Sequence, residues 1–257
     1  MSDYQEFTKQ INKKTGIDLS LYKEVQMKRR LTSLREKRGF NDFQSYYNAI
    51  AQEKELLDEF LDKVTINVSE FYRNASRWSV LESKVLPKLF EKKKKLKIWS
   101  AACSTGEEPY TIALVLSQFL DLSQIDILAT DIDDNVIARA KKAVYNERAL
   151  QEMPTKIKET YFTKDGTFFH LDEKIKKCVT FKKHNLLADS YPGSFDLIVC
   201  RNVLIYFTEE AKHTIYQNFS NSLVDGGVFF VGSTEQIFSP DQYNFKVLDT
   251  FFYQKNM

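Results

Sequence analysis

The segment Lys97-Ile-Trp-Ser-Ala-Ala-Cys-Ser-Thr-Gly-Glu-Glu-Pro-Tyr110 is the stretch that decides the fold of this chain. It begins as an apolar strand, passes through a turn of small residues and continues into a helix-forming run from Thr111 to Leu120. Open α/β sheets bind nucleotide-like ligands at such a junction, in the crevice beyond the carboxyl end of the strand. Small side chains between Ala101 and Gly106 let the backbone approach a ligand closely. The segment therefore predicts a ligand site at the start of the helix.

Acidic residues next to this junction indicate which ligand it suits. A second apolar strand, Ile125 to Thr130, ends in Asp131, the position at which a carboxylate holds the hydroxyls of a ribose. Glu107 and Glu108 stand at the helix N-terminus, which would otherwise welcome a phosphate. They favour a cationic ligand, so we expect S-adenosylmethionine, with its sulfonium and α-amino groups, rather than NAD or ATP. The alternative is a tight turn that binds nothing.

Length and composition are those of an ordinary globular protein. The chain has 257 residues, of which 43% are hydrophobic and 28% charged, with a net charge of +2. That charge gives no argument for nucleic acid, and no apolar run is long enough to span a membrane. Neither its three cysteines nor its three histidines show metal-ligand spacing. We therefore expect a cytoplasmic protein with reduced thiols, no metal and no membrane insertion.

Periodicity divides the chain into a helical part and an α/β part. Apolar residues recur at helical spacing before Gly39, a predicted helix stop, and Asn41-Asp42 starts another helix. From Lys97 onward strands alternate with helices, which predicts a mainly parallel sheet covered on both faces. The predicted strands are Lys97–Ala101, Ile125–Thr130, Val179–Lys183, Phe195–Cys200 and Gly227–Gly232. We expect a helical domain over 1–63, a linker over 64–96 with a helix from Trp78 to Phe90, and an α/β domain over 97–257.

An insertion of about 145–183 separates the second helix of the α/β domain from the next parallel strand. Within it, Thr167–Leu171 and Ile175–Lys182 have the composition of strands. They predict a small antiparallel sheet.

Polar residues also follow other predicted strands. Arg201-Asn202 comes directly after the strand that ends at Cys200, with Tyr206 just beyond, and Asn185-Leu186 follows the strand that ends at Lys183. An asparagine offers a donor and an acceptor to the edge of an adenine ring, and a leucine offers it an apolar face. The alternative is that these asparagines stabilise turns and that Tyr206 packs against a helix.

Four blocks of the sequence resemble the chemotaxis receptor methyltransferases, the CheR family. The blocks are Asn67-Val-Ser-Glu-Phe-Tyr-Arg73, Trp99–Tyr110, Ala129-Thr-Asp-Ile-Asp133 and Cys200-Arg-Asn-Val-Leu-Ile-Tyr-Phe207. They occur in the family's order and approximate spacing, and the helical N-terminal region is similar as well. The resemblance implies a Rossmann-like class I methyltransferase domain with a small antiparallel β insertion, preceded by an all-helical domain. It also implies methyl esterification of glutamates on chemoreceptors, with S-adenosylhomocysteine as the product.

The resemblance assigns cofactor-binding roles to particular residues. Those matching the family's cofactor contacts are Asn67, Ser69, Arg73, Glu107 or Glu108, Asp131, Asn185, Leu186, Arg201 and Asn202. Asn67, Ser69 and Arg73 belong to the linker motif that closes over the cofactor, and Ser69 keeps the hydroxyl of a threonine found in some members. Asp131 is the ribose-binding acid. Between the two glutamates, we favour Glu107 as the contact to the methionine end.

Arg73 and Tyr206 match the residues that face the transferred methyl group and its acceptor, so both are the predicted catalytic residues. The chemistry agrees, because a glutamate with a pKa of about 4.3 is already ionised at neutral pH and needs no general base. An in-line displacement by this carboxylate depends mainly on positioning. Arg73 would steer the carboxylate and Tyr206 would orient it through its hydroxyl.

The segment from Tyr22 to Phe40 is basic on its predicted helix. Lys28 and Arg35 flank one side of the apolar stripe, and Arg30 and Lys37 flank the other. Such residues either cover a core-facing stripe with their stems or dock on an acidic receptor helix bundle. The resemblance favours docking. Because the link around residues 164–167 is short, we expect no binding of a receptor C-terminal pentapeptide, and a monomer is the default expectation.

Two other functions compete with this interpretation. One is a methyltransferase acting on nucleic acid or a small molecule, but no Asn/Asp-Pro-Pro-Tyr/Phe motif follows the fourth strand. The other is a non-catalytic sensor that binds S-adenosylmethionine, against which the presence of Arg73 and Tyr206 argues.

Overall fold

Helices form the N-terminal part of the chain, and the residues at their ends suit those positions. The Ser2 hydroxyl accepts the Gln5 N–H at the start of the first helix, and the Asp42 carboxylate caps the third. Gly39, with φ +79°, follows the second helix, so the predicted stop and the predicted start at Asp42 are confirmed. The helices are α1 (Asp3–Thr15), α2 (Glu24–Lys37), α3 (Phe43–Gln52) and α4 (Lys54–Thr65).

The computed structural model describes residues 2–65 and 69–257. By their contacts these residues divide into two units, which we call the helical unit and the α/β unit. The helical unit contains residues 2–65, 185–190 and 206–215, and the α/β unit contains residues 69–184, 191–205 and 216–257. Within the described residues, every helix is too short or too polar to pass through a bilayer.

The core of the helical unit is rich in aromatic side chains. The Phe7 ring centroid lies 4.9 Å from that of Phe43 and 5.9 Å from that of Phe60. The predicted apolar face of α2 is buried, with Met27, Leu31 and Leu34 each under 5% exposed. These contacts hold α2 by one face and leave its opposite face to solvent.

A helix interrupted by one wide turn precedes the first strand. It consists of α5 (Ala75–Val80), a π-helical turn (Leu81–Val85) and α6 (Leu86–Lys92). Pro87 explains the interruption, because proline has no N–H and its ring collides with the carbonyl four residues earlier. The Leu86 N–H accordingly donates to the Leu81 carbonyl, five residues back. The helix predicted from Trp78 to Phe90 is confirmed and extends further at both ends.

The α/β unit contains one large and one small sheet. The strands are β1 (Ile98–Ala101), β2 (Ile127–Asp131), β3 (Val144–Asn146), β4 (Phe162–Asp165), β5 (Phe168–Leu171), β6 (Val179–Lys183), β7 (Phe195–Cys200), β8 (Leu223–Val231), β9 (Phe245–Asp249) and β10 (Phe252–Lys255). The remaining helices are α7 (Glu107–Leu116), α8 (Asp134–Lys142), α9 (Thr155–Tyr161), α10 (Glu173–Lys176) and α11 (Glu209–Ser222). Helix α7 begins directly after Gly106, one turn earlier than the sequence predicted.

The large sheet has the strand order β6-β2-β1-β7-β8-β10-β9. Its first five strands pair in parallel, and β10 is antiparallel to both of its neighbours. The predicted mainly parallel sheet is therefore confirmed. The chain runs outward from β1 through β2 to β6 and then returns to β7 on the other side of β1. The reversal of strand order between β1 and β7 marks the crevice in which this fold binds ligands.

The small sheet corrects one prediction. Its order is β3-β5-β4, with antiparallel pairing throughout. The strand predicted at Thr167–Leu171 is present as β5. The strand predicted over Ile175–Lys182 does not belong here, because Asp172 caps helix α10 and β6 pairs with β2 of the large sheet.

All three cysteines lie in the α/β unit, and each is a buried free thiol. Burial raises the pKa of Cys103, Cys178 and Cys200. A thiolate is the reactive form of cysteine, so burial lowers the reactivity of these residues in the folded protein.

Candidate active site

The loop after β1 has a strained backbone. Ala102 has φ +58° and Ser104 has φ +47°, although neither is glycine. Each such residue costs about 1–2 kcal/mol, and strain of this kind collects at functional sites. Hydrogen bonds to β2 hold the loop in place, since the Cys103 N–H donates to the Thr130 carbonyl at 2.9 Å. The loop is thus a fixed surface at the carboxyl ends of β1 and β2.

Gly106 ends this loop and begins α7 with φ +92°. A Cβ atom at this position would lie 3.0 Å from the Ala140 Cβ, 3.1 Å from the Tyr110 ring and 3.2 Å from the Tyr145 hydroxyl. Both the conformation and the lack of space require glycine. The close neighbours are side chains of the protein itself, so the predicted approach of this backbone to a ligand stays a prediction.

Asp131 holds the loop from the end of β2. Its Oδ2 accepts the Ser104 N–H at 2.8 Å, and its Oδ1 accepts the Asp133 N–H at 3.1 Å. The side chain is buried, and this burial raises the pKa of Asp131 to about 6 despite backbone hydrogen bonds from Ser104, Asp133 and Ile132. Each oxygen keeps a lone pair for a further donor, which suits the hydroxyls of a ribose.

Glu107 is buried at the first position of α7, with 5% exposure. The Thr105 hydroxyl lies 2.7 and 2.9 Å from its two oxygens, and Ser69 adds a side-chain hydrogen bond. Burial raises the pKa of Glu107, and these hydrogen bonds oppose the rise. The predicted linker residue Ser69 therefore meets the predicted acidic residue. Asn67 lies outside the described residues.

Glu108 contacts β1 and the arginine that follows β7. The Ser100 hydroxyl donates to its Oε1 at 2.9 Å, and its Oε2 lies 3.9 Å from Nη1 of Arg201. Burial raises the pKa of Glu108 to about 7, although the charges of Arg201 and Arg73 lower it. The structure thus gives the two neighbouring glutamates different surroundings, a distinction that sequence cannot make.

Arg201 is buried and anchors the linker. Its guanidinium lies 4.8 Å from the Phe230 ring centroid and 5.2 Å from that of Trp78. Its Nη2 donates to the Arg73 carbonyl at 2.7 Å and lies 3.3 Å from Oδ1 of Asn74. Arg201 therefore fixes the backbone from which the half-buried Arg73 side chain projects. Its predicted role in lining the cofactor stays a prediction.

Asn202 follows Arg201 with φ +62°, and its N–H donates to the carboxylate of Glu235. Sequence reasoning missed Glu235, which follows β8 in the turn Gly232-Ser-Thr-Glu235 and is 4% exposed. A glutamate four residues after the end of an apolar strand was the available signal. The predicted contact of Asn202 with the cofactor is untested.

Asn185, Leu186 and Tyr206 belong to the helical unit by their contacts. The Asn185 carbonyl oxygen accepts the Leu187 N–H at 2.9 Å, and its amide donates to the Gly16 carbonyl at 3.1 Å. Leu186 is buried. Asn185 thus has the turn-stabilising contacts that were the alternative interpretation, and its cofactor contact stays a prediction, as does that of Leu186.

Tyr206 contacts two residues of the N-terminal part of the chain. Its carbonyl accepts the Lys23 N–H at 2.9 Å, and the Arg30 guanidinium lies 5.4 Å from its ring centroid. Its predicted catalytic role stays a prediction.

The surroundings of β1 and β2 suit a cationic ligand that carries hydroxyl groups. Asp131, Glu107 and Glu108 have little exposure, and burial raises the pKa of each. A cationic ligand would offset their desolvation by favouring the ionised forms. S-adenosylmethionine fits this donor set through its ribose, ammonium and sulfonium groups. Among the described residues, no group of three potential ligands is arranged to hold a metal ion.

Comparison with known proteins supports this chemistry. The family model "CheR methyltransferase, SAM binding domain" matches residues 67–252, and "CheR methyltransferase, all-alpha domain" matches residues 2–65. The chain is 45% identical to the chemotaxis protein methyltransferase of Listeria monocytogenes, over 98% of this chain and 97% of that protein. It is 36% identical to the corresponding protein of Borreliella burgdorferi, over 86% and 83% of the two chains. It is 32% identical to chemotaxis protein methyltransferase 1 of Pseudomonas aeruginosa, over 94% and 93%.

Proposed function

This chain belongs to the CheR family of S-adenosylmethionine-dependent chemotaxis methyltransferases, and on that premise we propose that it methylates glutamate side chains on the cytoplasmic helical bundle of chemoreceptors. The cofactor part rests on one observation above all. Three carboxylates with raised pKa values surround a strained loop at the point where the strand order reverses. The glutamate acceptor is supported by the family resemblance and by exposed basic residues on α2.

One group of site residues would bind the methyl donor, and another would align the acceptor carboxylate. Asp131 would hold the ribose hydroxyls, and Glu107 and Glu108 would balance the ammonium and sulfonium charges. Bound S-adenosylmethionine supplies an electrophilic methyl group. Arg73 would draw the acceptor carboxylate into line, and Tyr206 would orient it by donating a hydrogen bond from its hydroxyl. Neither residue has to remove a proton, because the acceptor is already ionised at neutral pH.

Incubation with tritiated S-adenosylmethionine and a receptor cytoplasmic fragment tests the acceptor. We expect alkali-labile label on receptor glutamates, because methyl esters hydrolyse in alkali. Label on nucleic acid or on a small molecule would instead indicate a different methyltransferase. Binding of the cofactor without transfer to any of these acceptors would indicate a sensor.

We propose that fewer basic residues of α2 meet the receptor than the sequence predicted. On α2, Arg35 is half-buried with its guanidinium 4.8 Å from the Phe43 ring centroid, and Arg30 faces Tyr206. Lys28 and Arg29 are exposed on the solvent face. We propose that this exposed pair meets the acidic receptor bundle.

Charge reversal of this pair should weaken receptor methylation. In Lys28→Glu/Arg29→Glu at low salt, we expect KM for the receptor to rise by about tenfold or more, since opposite charges raise the association rate and like charges oppose it. Cofactor affinity should be unchanged. The matched control is Lys9→Glu/Lys13→Glu on α1, which changes net charge equally. Equal KM values for the two double variants would contradict the docking surface.

Recognition of the receptor through a C-terminal pentapeptide is not part of this proposal. Strands β4 and β5 are joined by Gly166 and Thr167 alone, as the short link in the sequence suggested. We propose direct recognition of the bundle by a monomer in the cytoplasm.

Cofactor binding should depend on pH in the range set by the buried carboxylates. The pKa of Asp131 is raised to about 6 and that of Glu108 to about 7, so both gain protons as the pH falls from 8 to 5.5. A cationic ligand favours the ionised forms, and one pKa unit corresponds to about a tenfold change in affinity. We therefore expect the affinity for S-adenosylmethionine to fall by about tenfold or more over this range.

Calorimetry at pH 6.5 in two buffers with different ionisation enthalpies measures the linked protons. The wild type should release protons on binding, whereas Glu108→Gln should release fewer and the exposed control Glu210→Gln should match the wild type. An affinity that is constant from pH 5.5 to 8 would contradict the assignment.

Without ligand, the free energy of unfolding changes with pH in the opposite direction to the cofactor affinity. The raised pKa values stabilise the fold below about pH 4, and that stabilisation is lost as the pH rises to about 7.

A further inference from the structure

Glu235 is a buried carboxylate to which the family resemblance assigns no role. Its two oxygens accept five backbone N–H groups, from Asn202, Val203, Leu204, Ile205 and Gly232. We propose that Glu235 is a positioning residue for methyl transfer, which fixes the turn after β7 and thereby places Tyr206. This inference rests on the proposed function, in which the Tyr206 hydroxyl orients the acceptor.

The arrangement of donors requires a carboxylate. Oε1 accepts the Val203 and Leu204 N–H groups at 2.8 and 2.7 Å, with Ile205 at 3.4 Å. Oε2 accepts the Asn202 and Gly232 N–H groups at 2.6 and 2.8 Å. Each oxygen therefore faces donors only. A glutamine would bring its NH2 group against one of the two sets, because an amide has only one acceptor oxygen.

Gly232 packs directly against the Glu235 carboxylate. A Cβ atom on Gly232 would lie 2.5 Å from Oε2 of Glu235 and 2.8 Å from the Asn202 nitrogen. The backbone at 232 thus closes against the carboxylate. Glu235 thus lies between the turn after β7 and the turn after β8, and its contribution is to hold the first of them in shape.

The turn that Glu235 holds runs directly into the predicted catalytic residue. The bonded N–H groups belong to four consecutive residues, Asn202 to Ile205, and Tyr206 is the next residue and the last of the 3₁₀ turn Leu204–Tyr206. Asn202 starts the turn with φ +62°, a conformation that needs support from its surroundings. Loss of the carboxylate would leave these N–H groups without their acceptor, so the turn and the tyrosine would shift.

Two other charges face this carboxylate. Arg201, the residue before the turn, and Glu108 both interact electrostatically with Glu235. Arg201 in turn donates to the Arg73 carbonyl. The buried cluster of Glu235, Arg201 and Glu108 therefore joins the turn before Tyr206 to the segment that carries Arg73.

A double-mutant cycle on the full chain tests the proposal. Glu235→Gln should lower kcat for transfer to the receptor fragment by about 10- to 100-fold, since a misplacement of about 1 Å can cost 10²-fold. In a Tyr206→Phe background the same substitution should cost less than about threefold, because the positioned hydroxyl is already absent. Thermal denaturation shows whether each variant is folded. The control is Asp172→Asn, which weakens a backbone-capping carboxylate at α10 and should leave kcat unchanged in both backgrounds.

Equal losses in the two backgrounds, or no loss in either, would overturn the positioning role. If Glu235→Gln does not fold, Glu235→Asp takes its place, and it should show the same coupling to Tyr206 with a smaller loss of kcat. Wild-type transfer is measured first. Failure of the wild type to label the receptor would overturn the proposed function, whereas normal wild-type transfer without coupling overturns only the role of Glu235.

Discussion

Arg73→Ala is expected to reduce kcat for receptor methylation by about 100- to 1,000-fold, which is the cost of removing one preorganised group at a charged reaction centre. Under the proposed function the acceptor is a glutamate carboxylate, which must approach a site that contains Asp131, Glu107 and Glu108. Like charges brought together in an interface cost several kcal/mol. The Arg201 guanidinium already donates to the Arg73 carbonyl and lies near Glu108. Arg73 is a second cation here, whose charge also lowers the pKa of Glu108, and we propose that it offsets the repulsion.

Steady-state kinetics with saturating cofactor measure this effect, alongside the dissociation constant for S-adenosylmethionine. Arg73→Lys keeps the charge and should recover part of the activity. The matched control is Arg77→Ala on α5, where the guanidinium lies 5.0 Å from the Phe251 ring centroid and has no proposed catalytic role. A kcat for Arg73→Ala within threefold of the wild type would remove Arg73 from the mechanism.

Gly106→Ala should both destabilise the protein and weaken cofactor binding. A left-handed conformation costs a non-glycine residue about 1–2 kcal/mol, and crowding in a packed site costs about 1–3 kcal/mol more. For a chain of this size these costs correspond to a fall in Tm of roughly 5–15 °C. The added methyl group would press on Ala140, Tyr110 and Tyr145 and displace the loop. We expect affinity for S-adenosylmethionine to fall on the order of 100-fold, because binding depends on the placement of this backbone.

Gly166→Ala separates the effect of backbone strain from the effect of crowding by neighbouring side chains. Gly166 also has a positive φ, of +57°, but nothing lies within 4 Å of the position its Cβ would take. Its substitution should lower Tm through strain alone and leave cofactor affinity unchanged. Calorimetric titration and thermal denaturation of both variants give the comparison. A Gly106→Ala protein that is folded and binds the cofactor within threefold of the wild type would show that the loop tolerates displacement.

The parallel strands were predictable because each is a short apolar run followed by small or polar residues. Other strands carried weaker signals. Strand β3 spans only Val144–Asn146, and in β9 both Lys246 and Val247 are exposed, so neither shows the pattern of a buried strand. In the segment Ile175–Lys182 a strand is present from Val179, but it is β6 of the large sheet, and the first two residues of the segment end α10. The local signal for this helix is Asp172, which caps it.

The place of a site residue was predictable where it follows from position along a strand, as for Asp131 at the end of β2, whose contact with the ribose stays a prediction. It was not predictable where function depends on the direction of a side chain. Arg201 lies at a strand end as predicted. Its guanidinium, however, faces Trp78 and Phe230 and donates a hydrogen bond to the Arg73 carbonyl of the linker. Glu235 was missed for a related reason. Its partners are backbone N–H groups, most of them about thirty residues earlier in the chain. Every residue type except proline has a backbone N–H, so the sequence does not show which residues donate.

The buried thiols provide internal reporters of local opening. Cys103 lies in the loop after β1, Cys178 precedes β6 and Cys200 ends β7, so each samples a different part of the α/β unit. An alkylating reagent can reach a shielded sulfur only when the surrounding structure opens. Rates of modification at the three positions therefore measure three separate opening equilibria in one native sample. Slower alkylation at Cys103 alone, on addition of S-adenosylhomocysteine, would show ligand protection spreading no further than the loop.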